Sequence, residues 1–184
     1  MIPEFICMTT AWGKRDVSYL QDKIPGLKLC IDTEHNAMKN FLASLRLTES
    51  PAVHLEDDII LCDGFYEKII DAVNMFPNDV IQFFSLRSED YKIGKPHIVP
   101  GRRYLMNQCF YLPANFGIKI ADFYSIWTGK VENPTGLDTL IADYLASKKM
   151  SYIQWFPHLV NHQETKSLIN PRRSSKRIDK LFSK

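Results

Sequence analysis

Three consecutive carboxylates, Glu56, Asp57 and Asp58, interrupt an apolar run at residues 53–64, Val-His-Leu-Glu-Asp-Asp-Ile-Ile-Leu-Cys-Asp-Gly. A run of this length, rich in β-branched residues, predicts a buried strand of an α/β sheet. Acids there are costly, because two like charges about 4 Å apart repel by roughly 4 kcal/mol at an effective dielectric near 20. A buried carboxylate therefore needs a partner. A divalent cation turns the repulsion into attraction, and Mg²⁺ or Mn²⁺ is often held by one or two carboxylates together with substrate phosphates. In an extended segment Glu56 and Asp58 share a face and Asp57 points the other way. The same acids could instead be a solvated cap between strand and turn, with Asp63-Gly64 as the next turn. The apolar run resumes at once with Ile59-Ile60-Leu61, which favours a site.

Two further groups could act with the acids. Asp138 follows Pro-Thr-Gly at the expected start of a helix, where the macrodipole favours a carboxylate. It reads either as a helix-start acid or as a general base. His162 stands in a late segment, residues 158–170, His-Leu-Val-Asn-His-Gln-Glu-Thr-Lys-Ser-Leu-Ile-Asn, and reads either as a structural hydrogen bonder or as a ligand.

The elements that must position these groups alternate. Residues 2–10 predict a first strand ending in Thr9-Thr10, followed by a loop carrying Trp12, Gly13, Lys14 and Arg15. Residues 17–23 predict a short helix, 27–31 a strand ended by Asp32, 36–47 a helix, 65–75 a helix and 80–86 a strand. Strand and helix in turn argue for an α/β fold with a mixed, mostly parallel sheet flanked by helices, and ligands in such sheets sit at the strands' carboxyl ends. Asp32 falls at such an end, although with Thr33 it could simply cap the next helix. Residues 88–103 are polar and read as a surface loop or hairpin able to reach over a site. Residues 104–112 predict a strand with Asn107-Gln108 inside it, 113–127 the start of a helix, 133–145 a turn and amphipathic helix, and 150–160 a last strand.

The acidic segment resembles the D-x-D-type motif of GT-A glycosyltransferases, in an E-D-D form. The segment Gly-Leu-Asp138-x-x-Leu-x-x-Tyr-Leu resembles the one that carries the base of inverting members. The segment around His162 resembles their late P-x-L-V-x-H-x-G-x-x-S-L stretch, with Gln163-Glu164 where the families often have a small residue and Gly. The resemblance implies a single GT-A-like domain over residues 1–170 that uses Mn²⁺ or Mg²⁺ and a nucleotide sugar, most simply a uridine-linked one. It places Asp58 and His162 on the metal, Glu56 and Asp57 at the ribose or metal-bound water, and Thr10, Arg15 and Asp32 near the nucleotide. Asn107 and Gln108 would meet the donor sugar or else make ladder-edge bonds. Lys166 and Ser167 would close over the donor, and Asp138 would be the base.

Composition narrows the setting. The 184 residues suit one domain, 45% of them hydrophobic and 12% aromatic, with a net charge of +2 that names no polyanionic partner. No run of about 18 apolar residues predicts a membrane span, and the start Met-Ile-Pro-Glu-Phe lacks a signal-peptide pattern, so the expected location is cytoplasmic. Cys7, Cys30, Cys62 and Cys109 lie in apolar runs without metal-type spacing and read as reduced core residues. Residues 171–184 form a basic tail with Arg172, Arg173, Lys176, Arg177, Lys180 and Lys184, either solvated or able to meet a diphosphate or nucleic acid. The acceptor would be a glycan or a hydroxymethylated base in phage-type DNA. Two other classes fit the same acids: a metal-dependent hydrolase such as a nuclease or phosphatase, and a non-catalytic nucleotide-sugar-binding module.

Overall fold

The structure is a computed structural model that describes residues 1–12, 15–163, 178–179 and 182. Its centre is a seven-stranded mixed sheet. In chain order the strands of the domain are β1 (Glu4–Thr10), β2 (Lys28–Asp32), β3 (Ala52–Glu56), β4 (Ile59–Leu61), β5 (Ile81–Gln82), β6 (His97–Pro100), β7 (Cys109–Leu112), β8 (Ser151–Gln154) and β9 (Val160–His162). The helices are α1 (Ser18–Lys23), α2 (Ala37–Leu45), α3 (Phe65–Met75), α4 (Ser88–Ile93), α5 (Phe116–Phe123) and α6 (Leu137–Ser147). The large sheet runs β2-β1-β3-β7-β5-β8-β6, and β4 pairs with β9 in a separate two-stranded ribbon. β1 is parallel to β2 and β3, and β5 to β8, whereas β7 and β6 run antiparallel to their neighbours.

Strand alternation divides the core into two layers. Cys109 and Tyr111 of β7 face one side, with Leu20 of α1 and Phe65, Ile69, Ala72 and Val73 of α3. Phe110 and Leu112 face the other, with Phe41 and Leu45 of α2, Ile120 of α5 and Leu140, Ile141 and Leu145 of α6. A strand with both faces covered is mostly apolar, which is why β7, Cys-Phe-Tyr-Leu, shows no apolar–polar alternation while its burial is complete. Gly117 lets α5 lie against α2: a Cβ there would stand 2.6 Å from the Leu45 carbonyl oxygen. All four cysteines are free and buried, as expected.

Several elements differ from expectation. The acidic segment is not one strand. β3 ends at Glu56, the chain bends at Asp57-Asp58, and β4 leaves for a different sheet. The alternation expected of an extended segment therefore fails at Asp57. Residues 88–103 hold α4 and the edge strand β6 rather than a loop or hairpin. Glu89 and Asp90 in its first turn favour the helix, and Gly94 at φ 67 ends it. The buried Asp90 carboxylate then fixes the corner by accepting from Ser85 Oγ and Arg87 Nε (2.8 Å), with His97 Nε2 at 3.0 Å. The expected last strand is two, β8 and β9, and the ladder part of residues 80–86 is only Ile81–Gln82. Among the described residues no helix is long and apolar enough to cross a membrane.

Candidate active site

A cavity of about 270 Å³ opens where β1, β2 and β3 end and where the chain enters β7. Thr10, Arg15, Asp32, Glu56, Asp57 and Asp58 line it from the parallel strands and the loops after them. Asn107 and Gln108 line it from the turn before β7, and Asp138 lines it from the first turn of α6. Nine of the residues singled out in the sequence thus meet in one space. Lys166 and Ser167 lie outside the described residues.

The bend at Asp57-Asp58 turns all three acids to the cavity, and local bonds hold it. Thr9 Oγ1 donates to Asp57 Oδ2 at 2.8 Å. The Arg15 guanidinium lies 3.6 Å from Asp57 Oδ1 through Nε and 3.5 Å from Asp58 Oδ2 through Nη2. Burial pushes the Asp57 carboxyl above its ordinary value, and the Thr9 hydroxyl and Arg15 pull against that rise. Glu56 pairs with the other wall, because Gln108 Nε2 donates to Glu56 Oε2 at 3.2 Å and the Glu56 amide donates to the Gln108 carbonyl at 3.0 Å. Asn107 and Gln108 stand just before β7 rather than inside it, so their side chains reach the cavity instead of serving the ladder.

His162 reaches the acids through the small ribbon. The β4–β9 register sets His162 opposite Ile59, next to Asp58, and the Gln163 amide donates to the Asp58 carbonyl at 2.8 Å. His162 is 1% exposed, and its Nε2 lies 3.3 Å from Asp58 Oδ2. Its Nδ1 faces the Gln163 carbonyl, which can only accept, so Nδ1 carries a proton. In a neutral ring Nε2 then presents a lone pair toward a carboxylate oxygen. A protonated ring pairs directly with Asp58, whereas a neutral one leaves Nε2 and Oδ2 as two ligand atoms for a cation, and a backbone carbonyl on the far ring nitrogen is the usual support of a metal-bound His. Among the described residues no three His, Cys, Asp or Glu side chains gather as a metal cage. A hard ion that keeps its substrate phosphates and waters needs no such cage.

Asp138 is held by backbone amides. Its Oδ2 accepts from the Met106 amide at 3.4 Å and its Oδ1 from the Thr139 amide at 3.0 Å. Asp143 points elsewhere and accepts from Trp127 Nε1 at 2.7 Å, as its spacing along the helix requires. Asp32 does not cap α2. Asn36 does, accepting from the Lys39 amide at 2.9 Å, while Asp32 Oδ1 accepts from the Glu34 amide at 2.8 Å and the residue lines the cavity.

Four of the lining residues that sequence reasoning did not assign shape the cavity. Trp12 and His35 stack with ring centroids 3.6 Å apart, and the planes differ by 22°. Asn40 ties the floor together, its Nδ2 donating to the carbonyls of Thr9 (3.2 Å) and Cys30 (3.3 Å). Met106 stands at φ 82, a left-handed conformation that a β-carbon disfavours. Aromatic residues in both strand-end loops were a visible signal for the first pair. Nothing local in the sequence marks Asn40 or the Met106 backbone. No family model matches the chain, and no curated protein matches it either.

Proposed function

We propose that the protein is a metal-dependent glycosyltransferase of GT-A type, moving a sugar from a nucleoside-diphosphate donor to a hydroxyl. The observation that carries this reading is the order of linked groups around the cavity, with His162 joined to it through Asp58. The Asp58–His162 pair lies beside Arg15, Glu56 bonds Gln108, Asn107 follows, and Met106 bonds Asp138. That sequence of chemistry runs from cation and anion binding, through neutral carboxamides, to an isolated carboxylate.

Asp58 and His162 would hold Mn²⁺ or Mg²⁺, which supplies Lewis-acid stabilisation of the leaving diphosphate. Arg15 supplies a second positive charge at the same end. Trp12, His35 and Asp32 fit a nucleoside, with ring faces for a uracil and a carboxylate for ribose or base. Glu56, Asn107 and Gln108 fit the hydroxyls of the transferred sugar. Asp138 takes the proton from the acceptor hydroxyl as that oxygen bonds the anomeric carbon. The bond from that carbon to the diphosphate oxygen breaks with its electron pair, through an oxocarbenium-like transition state, and the configuration inverts. Two backbone amides orient Asp138 for this role.

A thermal-shift screen of UDP-sugars with and without Mn²⁺ tests the reading. Ligands that bind only the folded state raise its apparent stability, by about 2.7 kcal/mol at one hundred times Kd. Metal-dependent stabilisation by a UDP-sugar, followed by transfer to a glycan or to hydroxymethylated DNA, is expected. Cleavage of nucleic acid or of phosphomonoesters by the Mn²⁺-loaded protein, with no UDP-sugar response, would replace it with a hydrolase.

A further inference from the structure

The turn that carries Asn107 is held from beneath by a residue outside the cavity. Gln82 on β5 is wholly buried, and its Nε2 donates to the carbonyl oxygens of Leu105 and Met106, the second at 2.6 Å. Only the amide nitrogen can donate to two carbonyls, so the orientation of this side chain is unambiguous. Both bonds fall on the residue at φ 82 and the one before it. A left-handed conformation at a residue with a long side chain persists only where the surroundings impose it. Its consequences appear on the cavity side. The Met106 amide is aimed at Asp138 Oδ2, and Asn107 is 4% exposed with neither amide atom hydrogen-bonded among the described residues. Burying a carboxamide without partners is unfavourable, so the turn is set for a ligand with hydroxyls to donate and accept.

Gln82 is braced in turn. It is in register with Gln154 of β8, whose Nε2 donates to the Gln82 carbonyl at 3.2 Å and whose Oε1 accepts from Arg87 Nη2 at 3.2 Å. The nucleotide half of the cavity, at the ends of β1, β2 and β3, rests on other bonds, from Thr9 to Asp57 and from Asn40 to Thr9.

We propose that Gln82 is a positioning residue for the sugar half of the site: by bonding two successive carbonyls it holds Met106 in the left-handed conformation that presents Asn107 to the transferred sugar and the Met106 amide to Asp138. The ligand part of this proposal rests on the glycosyltransferase reading; the conformational part does not.

The test uses Gln82→Met, which keeps length and removes both donors, with Gln82→Leu as a second variant should the first fold poorly. Amide hydrogen exchange at residues 105–108 is expected to speed by about tenfold or more, the size of one lost hydrogen bond, while β1 and β3 are unchanged. Calorimetry with Mn²⁺ should show about tenfold weaker binding of UDP-glucose or UDP-galactose and little change for UDP alone. Met106→Gly in the Gln82→Met background removes the β-carbon that disfavours the turn and should restore part of the sugar-specific affinity. A residue that only supports the fold would weaken both ligands together and would not be rescued from another element. Unchanged exchange at 105–108, or parallel loss of UDP and UDP-sugar, overturns the proposal. Accelerated exchange in a protein whose wild type binds no UDP-sugar upholds the role of Gln82 in the turn and overturns the glycosyltransferase reading instead.

Discussion

His54 provides a stability test that needs no ligand. It lies on β3, is 2% exposed, and stacks on Phe110 with centroids 5.1 Å apart. Burial pushes its imidazole down to about 3, from an ordinary value of 6.5. Above pH 6.5 both folded and unfolded chains carry the neutral ring, and the residue contributes no pH dependence. As pH falls below 6.5 the unfolded chain takes up a proton that the folded chain refuses, so stability is lost progressively until the pH passes the folded value. Each pKa unit of separation corresponds to 1.36 kcal/mol, so the full span amounts to about 5 kcal/mol and the fall from pH 7 to pH 5 to about 2 kcal/mol. Other titrating groups add their own slopes, so the quantity to read is a difference. Urea unfolding of wild type and His54→Leu, measured at pH 7, 6 and 5, should show the variant gaining about 2 kcal/mol on the wild type across that range. Leucine is close to histidine in volume and does not titrate. A wild-type-minus-variant difference that stays constant from pH 7 to pH 5 would refute the claim that this ring is held neutral.

Further tests address the proposed chemistry. Asp138→Asn should lose about 10²–10⁴-fold in kcat with donor affinity nearly unchanged, and steady-state kinetics beside donor calorimetry separates the two. Asp143→Asn weakens the bond to Trp127 Nε1 and should lower Tm without a comparable loss in kcat. His162→Ala should weaken Mn²⁺ and UDP together by calorimetry; wild-type affinity for both would make His162 a purely structural neighbour of Asp58. Asp58→Asn should abolish metal-dependent UDP binding while circular dichroism remains native. Asp179 stands in the basic tail yet is buried, accepting from His158 Nδ1 at 2.8 Å and exchanging bonds with Asn161. Asp179→Ala should therefore cost about 1–3 kcal/mol in urea unfolding, and deleting residues 171–184 would remove this anchor as well as basic charge.

Much of the fold was legible in local pattern. Alternating apolar runs and amphipathic stretches marked β1, β2, α2, α3 and α6 because each pattern reflects burial of one element's own faces. The candidate site was legible where chemistry departs from pattern: three acids in an apolar run, an acid at a helix start, a late histidine. Tertiary structure decided what those residues do to one another. The 53–64 run looks continuous, but its bend depends on Thr9 and Arg15, some forty residues away in the chain. Splitting the run sends β4 to β9, and that register alone brings His162 to Asp58. Met106, in its left-handed conformation, is bonded by Gln82 from a different strand, and the side chains of Asn107 and Gln108 just after it line the cavity. Periodicity is a property of one segment in its own reading frame. Register, bends and backbone strain are set by partners distant in the chain, whose hydrogen bonds form only once the layers have packed.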